Sequence, residues 1–139
     1  MLLVSLPRLR EFALRENETD ARTLVTRLGE VCAREKHAGS LAQALELEPQ
    51  LVARLDDAEW LDHGRVLRRH GYLFELDASR TPARVVAWPW EHGRTGFRAF
   101  RWEAGALEIH SNRAGAWSGT EASPRADAPG DGWRPVEAP

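Results

Sequence analysis

From Leu9 onward the chain places apolar residues at three- and four-residue steps: Leu9, Phe12, Ala13, Leu24, Val25, Leu28, Val31 and Cys32. That is the period of one helical face. It predicts a long first helix over residues 1–37, with Pro7 in its first turn, where a missing N–H costs nothing. Residues 15–22 are polar, and Asn17 and Asp20 lower helix propensity there, so the spacing allows either a continuous rod or a break near Asn17. Thirty helical residues reach roughly 45 Å, so one end is expected to project or to dock elsewhere. Gly39 closes the segment. Ser40, with Gln43 three residues on, reads as the capping box of a short helix through Leu47. Pro49 opens a second short helix carrying Leu51, Val52 and Leu55 and running toward Trp60 and Leu61, with Asp56, Asp57 and Glu59 on its outer side. His63-Gly64 ends it, and residues 65–70 form a basic connector, either extended or turned.

The period then changes from 3.6 to 2. Tyr72, Phe74 and Leu76 alternate with Leu73, Glu75 and Asp77, the pattern of a half-buried strand. Turn residues at 79–82 separate it from a second strand over 84–88, with Val86 and Trp88 on one face and Pro89 stopping the ladder. Residues 92–96 read as a loop, 97–102 as a third strand and 106–110 as a fourth, joined at Glu103-Ala104-Gly105, where Gly105 can take a positive φ. The order predicts an α+β fold: a long N-terminal helix packed on a four-stranded antiparallel sheet over 71–110, with short helices and a connector between them over 38–70. The helix stripe is the natural cover for the aromatic face of the sheet. Residues 111–139 are rich in turn formers and read as an irregular tail, yet Trp117 and Trp133 are expected to pin it back onto the domain.

Composition narrows the class. The chain has 139 residues, 42% hydrophobic and 29% charged, with a net charge of −2. It reads as one domain, 1–139, long enough to bury a core, with no overall electrostatic pull toward nucleic acid or acidic lipid. The single cysteine, Cys32, lies on the helix stripe and reads as a small buried hydrophobe. Residues 1–6 are apolar, but six helical residues span only about 9 Å of a bilayer core of about 30 Å. Neither a secretory signal nor a complete membrane segment is visible in this stretch.

Several short motifs, taken in order, resemble the pilin-like proteins of bacterial type IV pilus and type II secretion systems. In that family an Asn-Glu-containing helix leads to a Gly-Tyr-x-Phe strand, matched by Asn17-Glu18 and Gly71-Tyr72-Leu73-Phe74. A strand ending in proline follows, matched by Val86-Ala87-Trp88-Pro89. A Thr-Gly-x-x-x-aromatic segment is matched by Thr95-Gly96 and Phe100, a Gly-containing hairpin by residues 103–107, and a terminal motif by Gly132-Trp133-Arg134-Pro135. The resemblance implies a pilin-like head with no catalytic residues, acting as a structural or assembly subunit of a pilus or of a type II secretion pseudopilus. It implies a place in the cell envelope, periplasm or extracellular space, and partners that are other pilin-like or secretion-system subunits. The N-terminal apolar residues Leu2, Leu3, Leu6, Leu9 and Phe12 would form the partner interface. The family's anchor of about 20 apolar residues is matched here only by something like its last turn, at residues 2–7, so a membrane partner is expected only if an anchor helix precedes this chain. Some pseudopilins hold calcium in a C-terminal loop. Asp127, Pro129 and Asp131-Gly132 form a small acidic loop here, but two aspartates supply few hard oxygen ligands, and we expect a turn and no cofactor.

Other constellations are weaker. His37, His63, His70, His92 and His110 show no metal-ligand spacing. Glu103 and Glu108 flank the last hairpin and could meet as paired acids, but nothing predicts a cleft for them. No serine sits in a Gly-x-Ser-x-Gly elbow, so no enzyme is expected. The rival reading is an interaction module that binds a protein partner or single-stranded nucleic acid: residues 96–102 interleave arginine with Phe97, Phe100 and Trp102, the chemistry used to stack bases. Core packing of Phe100 and Trp102 explains those rings equally well.

Overall fold

The computed structural model describes residues 6–79, 82–124 and 132–136. Helix α1, Leu6–Arg34, runs unbroken through Asn17. Two five-residue helices follow, α2 (Leu41–Leu45) and α3 (Pro49–Ala53). The strands are β1 (Glu59–Leu61), β2 (Val66–Arg69), β3 (Tyr72–Asp77), β4 (Arg84–Pro89), β5 (Ala99–Glu103), β6 (Ala106–His110) and β7 (Trp133–Pro135). They form one seven-stranded antiparallel meander in which every neighbour in space is a neighbour in sequence.

The α+β class and the helix-on-sheet layering are as the periodicity predicts, but the sheet is wider than the four strands expected. The additional strands are short and carry little period-2 signal. Trp60 and Leu61, expected on the end of a helix, lie in β1, because the helix from Pro49 stops at Ala53. Most of the basic connector is β2, closed onto β3 by the two-residue turn His70-Gly71, with φ 47° and 78°. Both turn residues in the left-handed region is the requirement of a type I′ hairpin, and Ala104-Gly105, φ 53° and 85°, repeats it between β5 and β6. The third strand starts at Ala99, so Phe97 belongs to the preceding loop. Both edge strands are three residues long, and Pro135 lacks an N–H, which blunts the β7 edge against pairing.

Helix α1 covers one face of the sheet. Ala21, Leu24, Val25, Leu28, Val31 and Cys32 pack with Tyr72, Phe74, Val85, Ala87, Phe100 and Trp102. Each buried Leu or Val of this layer contributes about 1.5–3 kcal/mol. α2 begins at Ser40, whose Oγ accepts from the Gln43 N–H while Gln43 Oε1 accepts from the Gly39 N–H.

The expectation of a half-buried strand over 72–77 is corrected: every residue of β3 is buried, as is every residue of β4. The reverse face carries its own cluster of Val66, Leu73, Val86, Trp88, Ala99, Trp117 and Trp133. Trp117 and Trp133, in the described parts of the C-terminal segment, are buried in this cluster. Asn112 fixes the crossing, donating from Nδ2 to the oxygens of Phe97 and Trp117, each at 2.9 Å. Trp88 Nε1 donates to the Gly119 oxygen at 2.7 Å.

Candidate assembly surface

The two halves of α1 do different work. From Ala21 onward the sheet-facing residues are buried, whereas no described residue before Ala21 is. Leu6 is 80% exposed, Leu9 50% and Phe12 64%. At 100° per residue, Leu9 and Phe12 fall about 100° and about 160° round the helix from Leu28, so Leu9 points to the side of the sheet and Phe12 away from it. Of the five residues expected at a partner interface, Leu6, Leu9 and Phe12 therefore form an uncovered stripe. Leu2 and Leu3 lie outside the described residues.

The projecting half is held by polar contacts instead of apolar packing. Arg10 Nη2 donates to the Gly93 oxygen at 3.0 Å and Asn17 Nδ2 to the Thr95 oxygen at 2.9 Å. Glu18 Oε1 accepts from the N–H groups of Phe97 and Arg98, both at 3.3 Å. Opposite these, Gly71 sits so close that a Cβ there would stand 2.8 Å from both Asn17 Nδ2 and Thr95 Cβ. Gly96 lies against the Tyr72 ring, where a Cβ would come within 2.7 Å of Cζ. The Tyr72 hydroxyl donates to the Arg98 oxygen at 2.7 Å. Burial, with the nearby Glu18 charge, pushes that phenol well above its ordinary range and keeps it a neutral donor. Three motif segments far apart in the chain, Asn17-Glu18, Gly71-Tyr72 and Thr95-Gly96, thus meet in one joint that clamps the helix to the sheet.

A second clamp lies beside it. His70 sits between Asp20 on α1 (Nδ1 to Oδ2, 3.1 Å) and Asp57 ahead of β1 (Nε2 to Oδ2, 2.6 Å), and Arg69 Nε reaches Asp57 Oδ1 at 3.0 Å. Desolvation works to raise Asp57, but the hydrogen bonds from His70 and Arg69 outweigh it and hold the carboxyl below its usual range. Sequence reading missed this cluster because its members stand 37 and 13 residues apart and share no motif.

Under the projecting half of α1 runs a groove of about 710 Å³, lined by Arg15, Glu18, Phe97, Arg98, Arg113 and Arg134 among others. None of these four arginines has an ion-pair partner among the described residues. Phe97 is 44% exposed beside the groove, whereas Phe100 and Trp102 are buried beneath α1. A base could therefore reach Phe97 but neither of the other two rings.

The remaining candidates are placed plainly. Glu103 pairs with Arg84 (3.3 Å) and Glu108 with Arg101 (2.8 Å), so the two acids do not face each other. His110 packs against Trp117 and Trp133, and Arg101 lies 4.4 Å over the Trp133 ring. Among the described residues no three His, Cys, Asp or Glu side chains are placed to hold a metal ion. Asp127, Pro129 and Asp131 lie outside the described residues. No described helix is long and apolar enough to cross a membrane. The chain matches no protein-family model, no curated protein and no solved structure.

Proposed function

We propose that this chain is a non-enzymatic assembly subunit of the cell envelope, related to type IV pilins and type II secretion pseudopilins. The observation that carries the reading is the joint of Asn17, Glu18, Gly71, Tyr72, Thr95 and Gly96. The motifs behind the resemblance would otherwise be scattered short matches. Their convergence gives each a mechanical reason: they hold a helix across a sheet while Leu6, Leu9 and Phe12 on its first turns stay uncovered. A rigid head presenting an exposed helical stripe is suited to packing against neighbouring subunits.

A photo-crosslinking side chain placed at position 12 of the full chain, in the cell of origin, tests this. Mass spectrometry should identify adducts with envelope proteins that carry an apolar N-terminal helix of about 20 residues. Adducts confined to proteins without such a helix would overturn the reading.

The arginine groove favours a second reading, an interaction module for a single-stranded nucleic acid or a protein partner. Under it, oligonucleotide retention on a filter would weaken steeply with salt and fall further in Arg98→Ala and Arg113→Ala. Retention absent at low salt removes the nucleic-acid form of that reading.

A further inference from the structure

The main-chain polar groups of Phe97 and Arg98 are all taken by side chains. Glu18 Oε1 accepts from both N–H groups at 3.3 Å. Asn112 Nδ2 donates to the Phe97 oxygen at 2.9 Å, and the Tyr72 hydroxyl donates to the Arg98 oxygen at 2.7 Å. These anchors come from α1, the turn after β6 and β3, so the dipeptide is tied to three parts of the fold at once. Its own side chains are left in solvent: Phe97 is 44% exposed, and Arg98 is exposed too. The His92 ring stands perpendicular to the Phe97 ring, with centroids 5.5 Å apart. A pinned backbone that presents a bare ring and a bare guanidinium is a preorganised binding surface.

Both side chains line the groove under α1, together with Arg15, Arg113 and Arg134. Two carboxylates line it as well, Glu11 and Glu18, so its four guanidinium groups exceed its acids by two charges. The acids are not evenly spread. Glu11, Leu14, Arg15 and Glu18 recur at three- and four-residue steps and make one wall of the groove, about 10 Å long, with a carboxylate at each end and Arg15 between. Glu16 is exposed beside Arg15. A polyanionic strand laid along this wall would meet these carboxylates. A compact anion seated on the side of Arg98, Arg113 and Arg134 meets them least.

We propose that this groove binds a small phosphomonoester bearing a planar ring, of the nucleoside monophosphate class. The phosphate sits among the guanidinium groups of Arg98, Arg113 and Arg134, and the ring rests on Phe97. A phosphomonoester carries about −1.5 to −2 charge near pH 7 and three strong acceptor oxygens, which suit the charge surplus and the forked arginine donors. A carboxylate, with one charge and two oxygens, is satisfied by a single arginine. Stacking on the exposed ring supplies the second contact. The inference rests on the groove of the second reading and deepens it: one bare ring stacks one base, since Phe100 and Trp102 are buried, so the ligand is a single nucleotide and not a strand.

Isothermal titration calorimetry of the full chain at low salt tests this with AMP, adenosine, inorganic phosphate and an eight-nucleotide oligothymidylate. AMP should bind one to one, and roughly tenfold or more tightly than inorganic phosphate, as a stacked base contributes; adenosine should bind more weakly than AMP. Arg98→Ala and Arg113→Ala, both at exposed positions and each checked for an unchanged thermal melt, should weaken AMP by roughly tenfold. Phe97→Ala should bring AMP down to the affinity of phosphate and leave phosphate itself unchanged. Arg54→Ala, an exposed arginine at the end of α3, should bind AMP as the wild type does. AMP bound no better than phosphate or adenosine would overturn the proposal. Oligothymidylate bound where AMP is not would overturn it and leave the strand reading standing, whereas binding of neither would overturn both. Phosphatidic acid vesicles bound where AMP is not would assign the arginines to a lipid headgroup and overturn the proposal.

Discussion

Asn17 on α1 and Thr95 in the loop before β5, 78 residues apart in the chain, are joined by a hydrogen bond of 2.9 Å from the Asn17 side-chain amide to the Thr95 main-chain oxygen. Asparagine is a poor choice in the middle of a helix on propensity alone. Its presence in an unbroken helix is explained by this tertiary partner, which spends the amide on the sheet instead of on a local turn.

Asn17→Ala improves local helix propensity but leaves a part-buried carbonyl without its donor. The expected net effect is destabilisation of about 1–2 kcal/mol, read from urea unfolding, with faster amide exchange across residues 91–98. A variant as stable as the wild type would show that the joint does not hold the helix.

Gly29 packs against the indole of Trp102, and a Cβ added there would lie 2.6 Å from Trp102 Cγ and closer still to the six-membered ring. In an isolated helix Gly29→Ala would stabilise by about 1 kcal/mol. Here overpacking against a ring already held by Val85 and Leu107 across the ladder should reverse the sign and destabilise by about 1–3 kcal/mol. Combining it with Trp102→Leu should give a cost smaller than the sum of the two single changes, measured as a double-mutant cycle.

Glu75 is buried in β3, and desolvation lifts its carboxyl to about 7 from an ordinary 4.5. Arg65 opposes the shift, and Asp62 and Asp77 add to it. The folded state therefore binds this proton more tightly than the unfolded chain does. Its contribution to stability is fully present below about pH 4.5 and is lost as pH rises through about 7. Glu75→Gln removes the charge at similar shape. It should flatten the pH dependence between pH 5 and 8 and raise stability at pH 8 by an amount on the order of 1–3 kcal/mol. A Tm series across that range in which wild type and variant fall in parallel would contradict this.

Cys32 is buried in the helix–sheet layer, and burial pushes its thiol up to about 12. At pH 8 the folded protein should react with iodoacetamide at a rate set by unfolding, and addition of denaturant should release ordinary thiol reactivity. Rapid labelling of the native protein would place the thiol elsewhere.

The elements legible in the sequence were those with their own period or their own chemistry. The stripe of Leu24, Val25, Leu28 and Val31 announces a helix face. The Ser40–Gln43 pairing announces the start of α2, and Ala106–His110 was bounded correctly by its glycine turn. Strands β1 and β7 escaped notice, and the segment of β2 reads as either extended chain or turn. Three or four residues carry too little alternation to be separated from helix or loop, and β2 and β7 add arginine pairs or a proline that mask it. These strands exist because β3 and its partners offer edges to pair with, which is a property of the assembled sheet.

The three- and four-residue steps between apolar residues determined that Leu9, Phe12, Leu24 and Leu28 all lie on one helix, although at 100° per residue Leu9 and Phe12 stand well round the helix from Leu28. Only the folded arrangement decided which of them are covered. The joint at Asn17, Gly71 and Gly96 sets where along α1 the sheet docks. The C-terminal leucines are thereby buried, and Leu9 and Phe12 remain in water. Periodicity records that a segment is helical; how that helix is turned and registered against the sheet, which depends on contacts 49 to 79 residues distant, determines which of its apolar residues are covered.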